Sequence, residues 1–366
     1  MNPARTEEKL MNARQSSPVS AAPGGWSGFW LTPMSPTALH ALRVIAGLAF
    51  LAWLLPLAGH VDALFGPAGW FDLRAYRQMS SLPDGPPKPA GWSLLYLAGS
   101  SSSALAALYW GSIAVLVLFT LGIWPRLTAI LTWLVVLSFT ANPALDLEAH
   151  ILFVPLASYL ALGYLLLGQR SSGLSFLTRL LGSVRPFRSE PALARPSLGA
   201  NLAVRLLQVH LALIIVISGL HKLQFGDWWS GVALWYRLNP PLEATAQSIR
   251  LHAPTLAATM TRLSLAAYLI LTWQIAFPLF AWRRWGWILV LLGAVTGSVG
   301  MVILLSDPLW AIALLACSLA FVPVEVWSWA GNCLWQRAAG DGEKQEAVLA
   351  GVRGPRARAQ DTVGAR

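Results

Sequence analysis

The sequence predicts an all-α polytopic membrane protein, a transmembrane helical bundle of about eight spans with both termini cytoplasmic. Three observations predict it. Of 366 residues, 56% are hydrophobic and only 11% charged, against roughly a quarter charged in soluble domains. Charged residues recur at intervals of about 20 positions, the length that crosses about 30 Å of hydrocarbon. The 26 Lys and Arg outnumber 16 Asp and Glu, a surplus that in so apolar a chain suits loops facing anionic lipid rather than nucleic acid.

Intervals such as Arg43 to Asp62, Arg126 to Asp146, Glu148 to Arg170, Arg205 to Lys222 and Arg262 to Arg283 each enclose one span. The expected helices cover residues 37–58, 104–123, 127–144, 148–168, 199–222, 262–282, 285–304 and 308–328, with a short interfacial helix over 91–99. Pro56 and Pro278 fall inside spans, where neighbours can satisfy the freed carbonyl, and predict kinks. Residues 1–36 read as a disordered cytoplasmic tail without the apolar core of a signal peptide, residues 37–328 as the membrane domain, and residues 329–366 as a basic cytoplasmic tail.

Orientation follows from the basic loops. Residues 170–198 carry Arg170, Arg179, Arg185, Arg188 and Arg195 against Glu190, and the next loop on that side holds Arg283 and Arg284. Both are placed in the cytoplasm. The opposite side keeps Asp62, Asp146, Glu148, Asp227 and Asp307, together with the more basic outer loops around Arg74, Lys88 and Arg237. Tryptophans at span ends (Trp124, Trp228, Trp229, Trp285, Trp329) read as an interfacial belt, and Gly293–Gly300 as small-residue packing between helices.

Ionisable residues near the bilayer mark candidate sites. In Phe139–His150, Asn142, Asp146, Glu148 and His150 gather on the extracytoplasmic side. Asp146 and His150 are spaced i, i+4 and share a helical face, so the carboxylate can orient the imidazole as a base. The plain alternative is that Asp146 caps the fourth span. In Ile217–Tyr236, His221 and Lys222 are adjacent and a Gly-bounded turn carries Asp227, Trp228 and Trp229. A lysine against aromatic walls loses hydration, which favours a neutral amine able to act as a base. The alternative is a lysine snorkelling to the headgroups. Arg43 and Arg205 are read as snorkelling, and His210 as a buried hydrogen-bonded group. Cys317 and Cys333 suggest neither a disulfide framework nor a zinc site, no metal is expected, and no hydrolase motif occurs.

Together these motifs resemble a family. L-R-V-I-A-G in the first span, L-F-G-P-A-G-W (Leu64–Trp70), L-G-I-W-P-R-L-T-A-I-L (Leu121–Leu131), the polar segment Asn142–His150, and S-G-L-H-K-L followed by D-W-W-S-G (Ser218–Leu223, Asp227–Gly231) are similar to the HTTM group. That group contains the membrane domain of vitamin K-dependent gamma-carboxylases and many bacterial relatives. The resemblance implies that Lys222 is the base deprotonating vitamin K or menaquinone hydroquinone. It places a catalytic histidine among Asp146, Glu148 and His150, with His150 preferred and Glu148 as the other candidate partner. His221, Trp228, Asp146 and Asn142 are then cofactor-binding. It also implies a bacterial inner (plasma) membrane location.

Two departures argue against a complete protein carboxylase. The chain ends soon after its last expected span, leaving no room for the carboxylases' lumenal domain. A histidine common early in a late helix is replaced by I-L-V-L-L-G-A (Ile288–Ala294). Two functions are therefore expected: a quinone- or lipid-linked membrane enzyme binding a prenylated quinone in an apolar cleft, or a non-catalytic partner that binds, matures or gives immunity to a small exported peptide. A transporter ranks third because no inverted repeat is evident.

Overall fold

The computed structural model describes residues 25–66, 69–70, 78, 93–98, 101–142, 145, 149–167, 196–239, 247 and 255–330. The described residues are helical throughout, with a single isolated bridge between Met34 and Ser197 in place of any sheet. The chain divides into two units, Met1–Phe321 and Val322–Arg366. In the second, a short helix occupies Val324–Ala330.

The first unit contains α1 (Gly25–Leu31), α2 (Thr37–Leu54), α3 (Val61–Phe65), α4 (Ser102–Leu121), α5 (Pro125–Thr140), α6 (His150–Leu166), α7 (Leu198–Lys222), α8 (Gly226–Trp229), α9 (Ala233–Leu238), α10 (Leu256–Phe280), α11 (Gly286–Leu305) and α12 (Pro308–Ser318). Each expected span has a helix within several residues of its place. Five helical stretches, Thr37–Phe65, Ser102–Leu121, Leu198–Lys222, Leu256–Phe280 and Gly286–Ile303, are long and apolar enough to cross a membrane. This is an integral membrane protein. The helices Pro125–Thr140 and His150–Leu166 are apolar but shorter.

Neighbours in sequence are mostly neighbours in space. α2 packs on α4, α4 on α5, α5 on α6, α6 on α7 and α7 on α10, while α12 returns to touch α2, α6 and α7. α11 rests chiefly on α12. The buried centre is aromatic. Trp53 stacks on Phe153 at 5.4 Å, Phe50 meets Phe153 edge-on at 5.4 Å, and Phe139 meets Trp53 and Tyr109 at 6.3 Å. Gly293 lets the Trp273 ring lie against α11, since a Cβ there would overlap the indole. Gly297 only approaches Leu314 and Gly300 faces open space, so the expected small-residue seam is confined to one end.

Pro56 does more than kink the first span. Lacking an N–H, it stands inside a 3-10 segment, Leu55–His60, that replaces the α-helix after Leu54. The change of hydrogen-bond period replaces the α-helical partner of the Leu54 carbonyl by a 3-10 one, and the Tyr109 hydroxyl of α4 donates to the same carbonyl at 2.6 Å. Tyr109→Phe keeps the ring and removes this second bond to the carbonyl, so it should cost about 0.5–1.5 kcal/mol. Denaturant titration of the purified variant measures this, and a value indistinguishable from wild type refutes the role.

Three expectations need correction. The span over 308–328 is interrupted: α12 ends at Ser318, a 3-10 turn covers Leu319–Phe321, and the helix does not pass Pro323, which has no N–H and disfavours helical geometry at Val322. Residues 25–36 are not a free tail. Asn201 Nδ2 donates to the carbonyls of Phe29 and Trp30 at 3.0 and 2.9 Å, fastening α1 to α7, and Met34 exchanges backbone bonds with Ser197 at 3.1 and 2.8 Å. The interfacial helix expected over 91–99 appears as a 3-10 turn, Leu94–Ala98, held by Ser138 Oγ accepting from Leu94 N–H at 2.7 Å.

Candidate functional site

Lys222 is the last residue of α7, whose 25 residues run from Leu198. Chain reversal follows at once: Gln224 N–H donates to His221 O and Phe225 N–H to Lys222 O, both at 3.1 Å. α8 then forms Gly226–Trp229, and Gly231 takes a positive φ of 74° that a side chain would adopt only with strain. α10 fastens this turn. Ser264 Oγ donates to Gly231 O at 3.0 Å and Tyr268 OH to Trp229 O at 2.7 Å. Within the turn, Trp229 Nε1 donates to Leu223 O at 2.6 Å.

This geometry puts the Trp228 ring 5.4 Å from Lys222 Nζ, within cation–π range. One turn back along α7, Ser218 Oγ accepts from Nζ at 2.7 Å, and Ser218 O lies at 3.4 Å. The ammonium is thus half-buried and held by a hydroxyl and an indole face. Among the described residues it has no carboxylate partner. Asp227, which follows in the same turn, is exposed, and its carbonyl serves Val232 N–H at 3.0 Å and Ser230 Oγ at 3.2 Å. His221 is exposed and packs edge-on against Phe225 at 5.1 Å.

The other sequence-predicted residues lie at the start of α6. His150 is its first residue and is exposed. The N-cap is Ala149, without a side-chain capping bond of its own, and the expectation that Asp146 caps this helix falls on a residue outside the described ones. Asn142 is buried just past the end of α5, with its carbonyl accepting from Leu145 N–H at 3.0 Å. Asp146 and Glu148 lie outside the described residues.

α6 and α7 run antiparallel. Tyr159 OH and His210 Nδ1 meet at 3.1 Å, a Cβ on Gly163 would press on Ala203, and one on Gly199 would press on Leu166. His150 and Lys222 therefore occupy the same end of the pair. They do not meet: the contacts of Lys222 are Ser218 and Trp228. At about 100° per residue, the nine positions from His150 to Tyr159 turn the histidine to the side of α6 away from α7.

No family model, curated protein or solved structure matches the chain. The function is therefore argued from the geometry and from the motif likeness alone.

Sequence reasoning missed two polar clusters at the end where α2 and α7 begin. Arg43 does not snorkel. It is only 9% exposed, and its guanidinium lies 5.9 Å from the Tyr164 ring centroid and directly against Gly122. His40 Nδ1 pairs with Tyr164 OH at 2.7 Å. The i, i+3 spacing of His40 and Arg43 was a legible sign of one shared face. Arg205 also turns inward, over the Phe29 ring at 4.4 Å and donating to Gln208 Oε1 at 2.9 Å. Gln208 in turn receives Trp282 Nε1 at 3.1 Å and donates to Ala320 O at 2.7 Å.

Proposed function

We propose that this protein is a quinone- or lipid-linked membrane enzyme, a short bacterial-type member of the HTTM group in the inner (plasma) membrane. Its site centres on Lys222. The proposal includes eight spans with both termini cytoplasmic, which puts Lys222 on the extracytoplasmic side as the positive-inside rule requires. The observation that carries it is the Lys222 ammonium, half-buried between Ser218 and Trp228 without a carboxylate among the described residues. A lysine in an ion pair keeps its proton. One without a carboxylate beside it is free to exchange a proton with a hydroquinone.

In this reading Ser218 and Trp228 position the amine, and a prenylated quinone docks against Trp228 and His221. Asn142, Asp146, Glu148 and His150, from the polar segment before α6, supply the polar rim. His150 as the proton partner requires motion, since it stands on the far side of α6, while Glu148 is the other candidate. Vitamin K or menaquinone hydroquinone is the proposed cofactor. The alternative is a non-catalytic partner that binds, matures or gives immunity to a small exported peptide, favoured by one observation: Phe225, Trp229 and Tyr236 are exposed around the same turn, an aromatic surface suited to recognition.

A titration in nanodiscs with oxidised and reduced menaquinone, followed by tryptophan quenching, tests the enzyme reading. Wild type should bind with a dependence on redox state, and Lys222→Ala should bind the reduced form about tenfold more weakly, the value of one charge-assisted hydrogen bond. Unchanged binding in a correctly inserted Lys222→Ala protein sinks it. Absence of binding to both proteins, with co-purification of a small peptide, establishes the partner reading instead.

A further inference from the structure

We propose that the turn between α4 and α5 is a phosphate-binding site, built from the Arg43 guanidinium and the N-terminus of α5, and that its ligand is the headgroup of an anionic glycerophospholipid. The site is independent of Lys222, which stands at the opposite end of α7 from the α2 and α7 starts.

The turn shows donors. α4 ends in Gly122 at φ 77°, and two of its last carbonyls are taken by the chain itself: Gly122 N–H donates to Phe119 O at 3.0 Å and Ile123 N–H to Leu118 O at 2.9 Å. The carbonyls of Ile123 and Trp124 both accept from the Thr128 hydroxyl at 3.1 Å. Pro125 opens the 16-residue α5, which has no side-chain cap and no acidic residue in its first turn. The amides of Arg126 and Leu127 therefore project from a positive helix end with no backbone acceptor.

Arg43 reaches this turn from α2. A Cβ on Gly122 would overlap its guanidinium, so only glycine admits it there. No carbonyl among the described residues accepts a hydrogen bond from it. Its Nε has no partner, and the neighbouring His40 Nε2 has none either. Tyr164 offers a ring face and one hydroxyl, which it shares between Arg43 and His40 and which leaves most of the guanidinium donors unmet. A guanidinium carries five donors, and no carboxylate among the described residues pairs with it. The dipole at the end of α4 makes the charge tolerable but accepts no hydrogen bond. The first turn of α5 carries a second guanidinium, Arg126, whose Nη2 donates to Leu167 O just past the end of α6.

Two guanidinium groups, a free helix N-terminus and no acid are the chemistry of phosphate recognition. The surroundings select a lipid as its carrier. Leu121, Ile123, Trp124 and Leu127 are exposed around the turn, an apolar and aromatic rim suited to acyl chains at headgroup depth.

Thermal unfolding of the full chain in neutral detergent, read by tryptophan fluorescence, tests this with added phosphatidylglycerol, phosphatidylcholine or inorganic phosphate. Saturating phosphatidylglycerol should raise the wild-type midpoint by about 5 °C and phosphatidylcholine by clearly less. The shift should largely vanish in Arg43→Gln and fall by about half in Arg43→Lys, which keeps the charge and loses the fork. It should persist in Arg284→Gln, where the lost guanidinium lies exposed over Trp285. An equal, Arg43-dependent shift with inorganic phosphate alone keeps the site and assigns it to a free anion. If Arg43→Gln does not fold, the lysine variant decides. A wild type indifferent to both probes, or a shift unchanged in the Arg43 variants, overturns the proposal.

Discussion

Gln208→Leu is expected to lower the unfolding free energy by about 3 kcal/mol or more, because one buried amide satisfies three groups from three elements. Its Oε1 accepts from Arg205 Nη1 on α7 at 2.9 Å and from Trp282 Nε1, just beyond α10, at 3.1 Å. Its Nε2 donates to Ala320 O, in the 3-10 turn after α12, at 2.7 Å. Leucine fills nearly the same volume and offers none of these bonds. The guanidinium, the indole N–H and the carbonyl are then stranded where water is scarce. Gln208→Glu retains the acceptor for Arg205 and Trp282 and loses only the donor to Ala320, so it should fall between leucine and wild type. Unfolding by denaturing detergent, monitored by circular dichroism, measures the series. A leucine variant within about 1 kcal/mol of wild type refutes the hub.

Phe153→Ala should cost about 3 kcal/mol, and the source of that loss is specific to a membrane. Phe153 is fully buried on α6 between Phe50 and Trp53 of α2. In water its removal would forfeit both transfer energy and packing. In a bilayer, lipid solvates an aromatic ring as well as the interior does, so what is lost is the close contact with two rings and the density around them. Phe153→Leu, which retains most of the volume, should lose less than half as much. The same titration decides it, and equal losses for alanine and leucine would show that packing at this position does not hold α2 to α6.

How far the sequence could be read depends on the range of the interaction. Helix positions were legible because a bilayer demands about 20 apolar residues between charges, and that ruler needs no knowledge of neighbours. It failed at Pro323, where an apolar run continues past a residue that cannot continue the helix. Lys222 and Trp228 were legible as a pair because six positions and a glycine turn separate them, and Ser218 is one helical turn away. His150 was the expected partner of Lys222. Sequence shows that both fall at the same membrane face, but whether they face one another depends on how α6 is rotated, which the pairing of Tyr159 with His210 sets.

Arg43 shows the same limit. Spacing along α2 gave its depth, and depth alone suggests a side chain reaching back to the headgroups. The partners that turn it inward, Gly122 and Tyr164, come from other helices and carry no mark in the local sequence of their role.

Sequence alone, then, determined the membrane class, the placement of the helices and the short-range cluster at the end of α7, because hydrophobic length and helical period act along the chain. Tertiary structure decided which way Arg43, Arg205 and His150 face, which carbonyl the Tyr109 hydroxyl meets, and which helix ends come together. Those outcomes turn on packing between segments far apart in sequence. In a bilayer nearly every apolar helix face is equally content with lipid, so the polar bonds and close ring contacts between helices fix their rotation and partners.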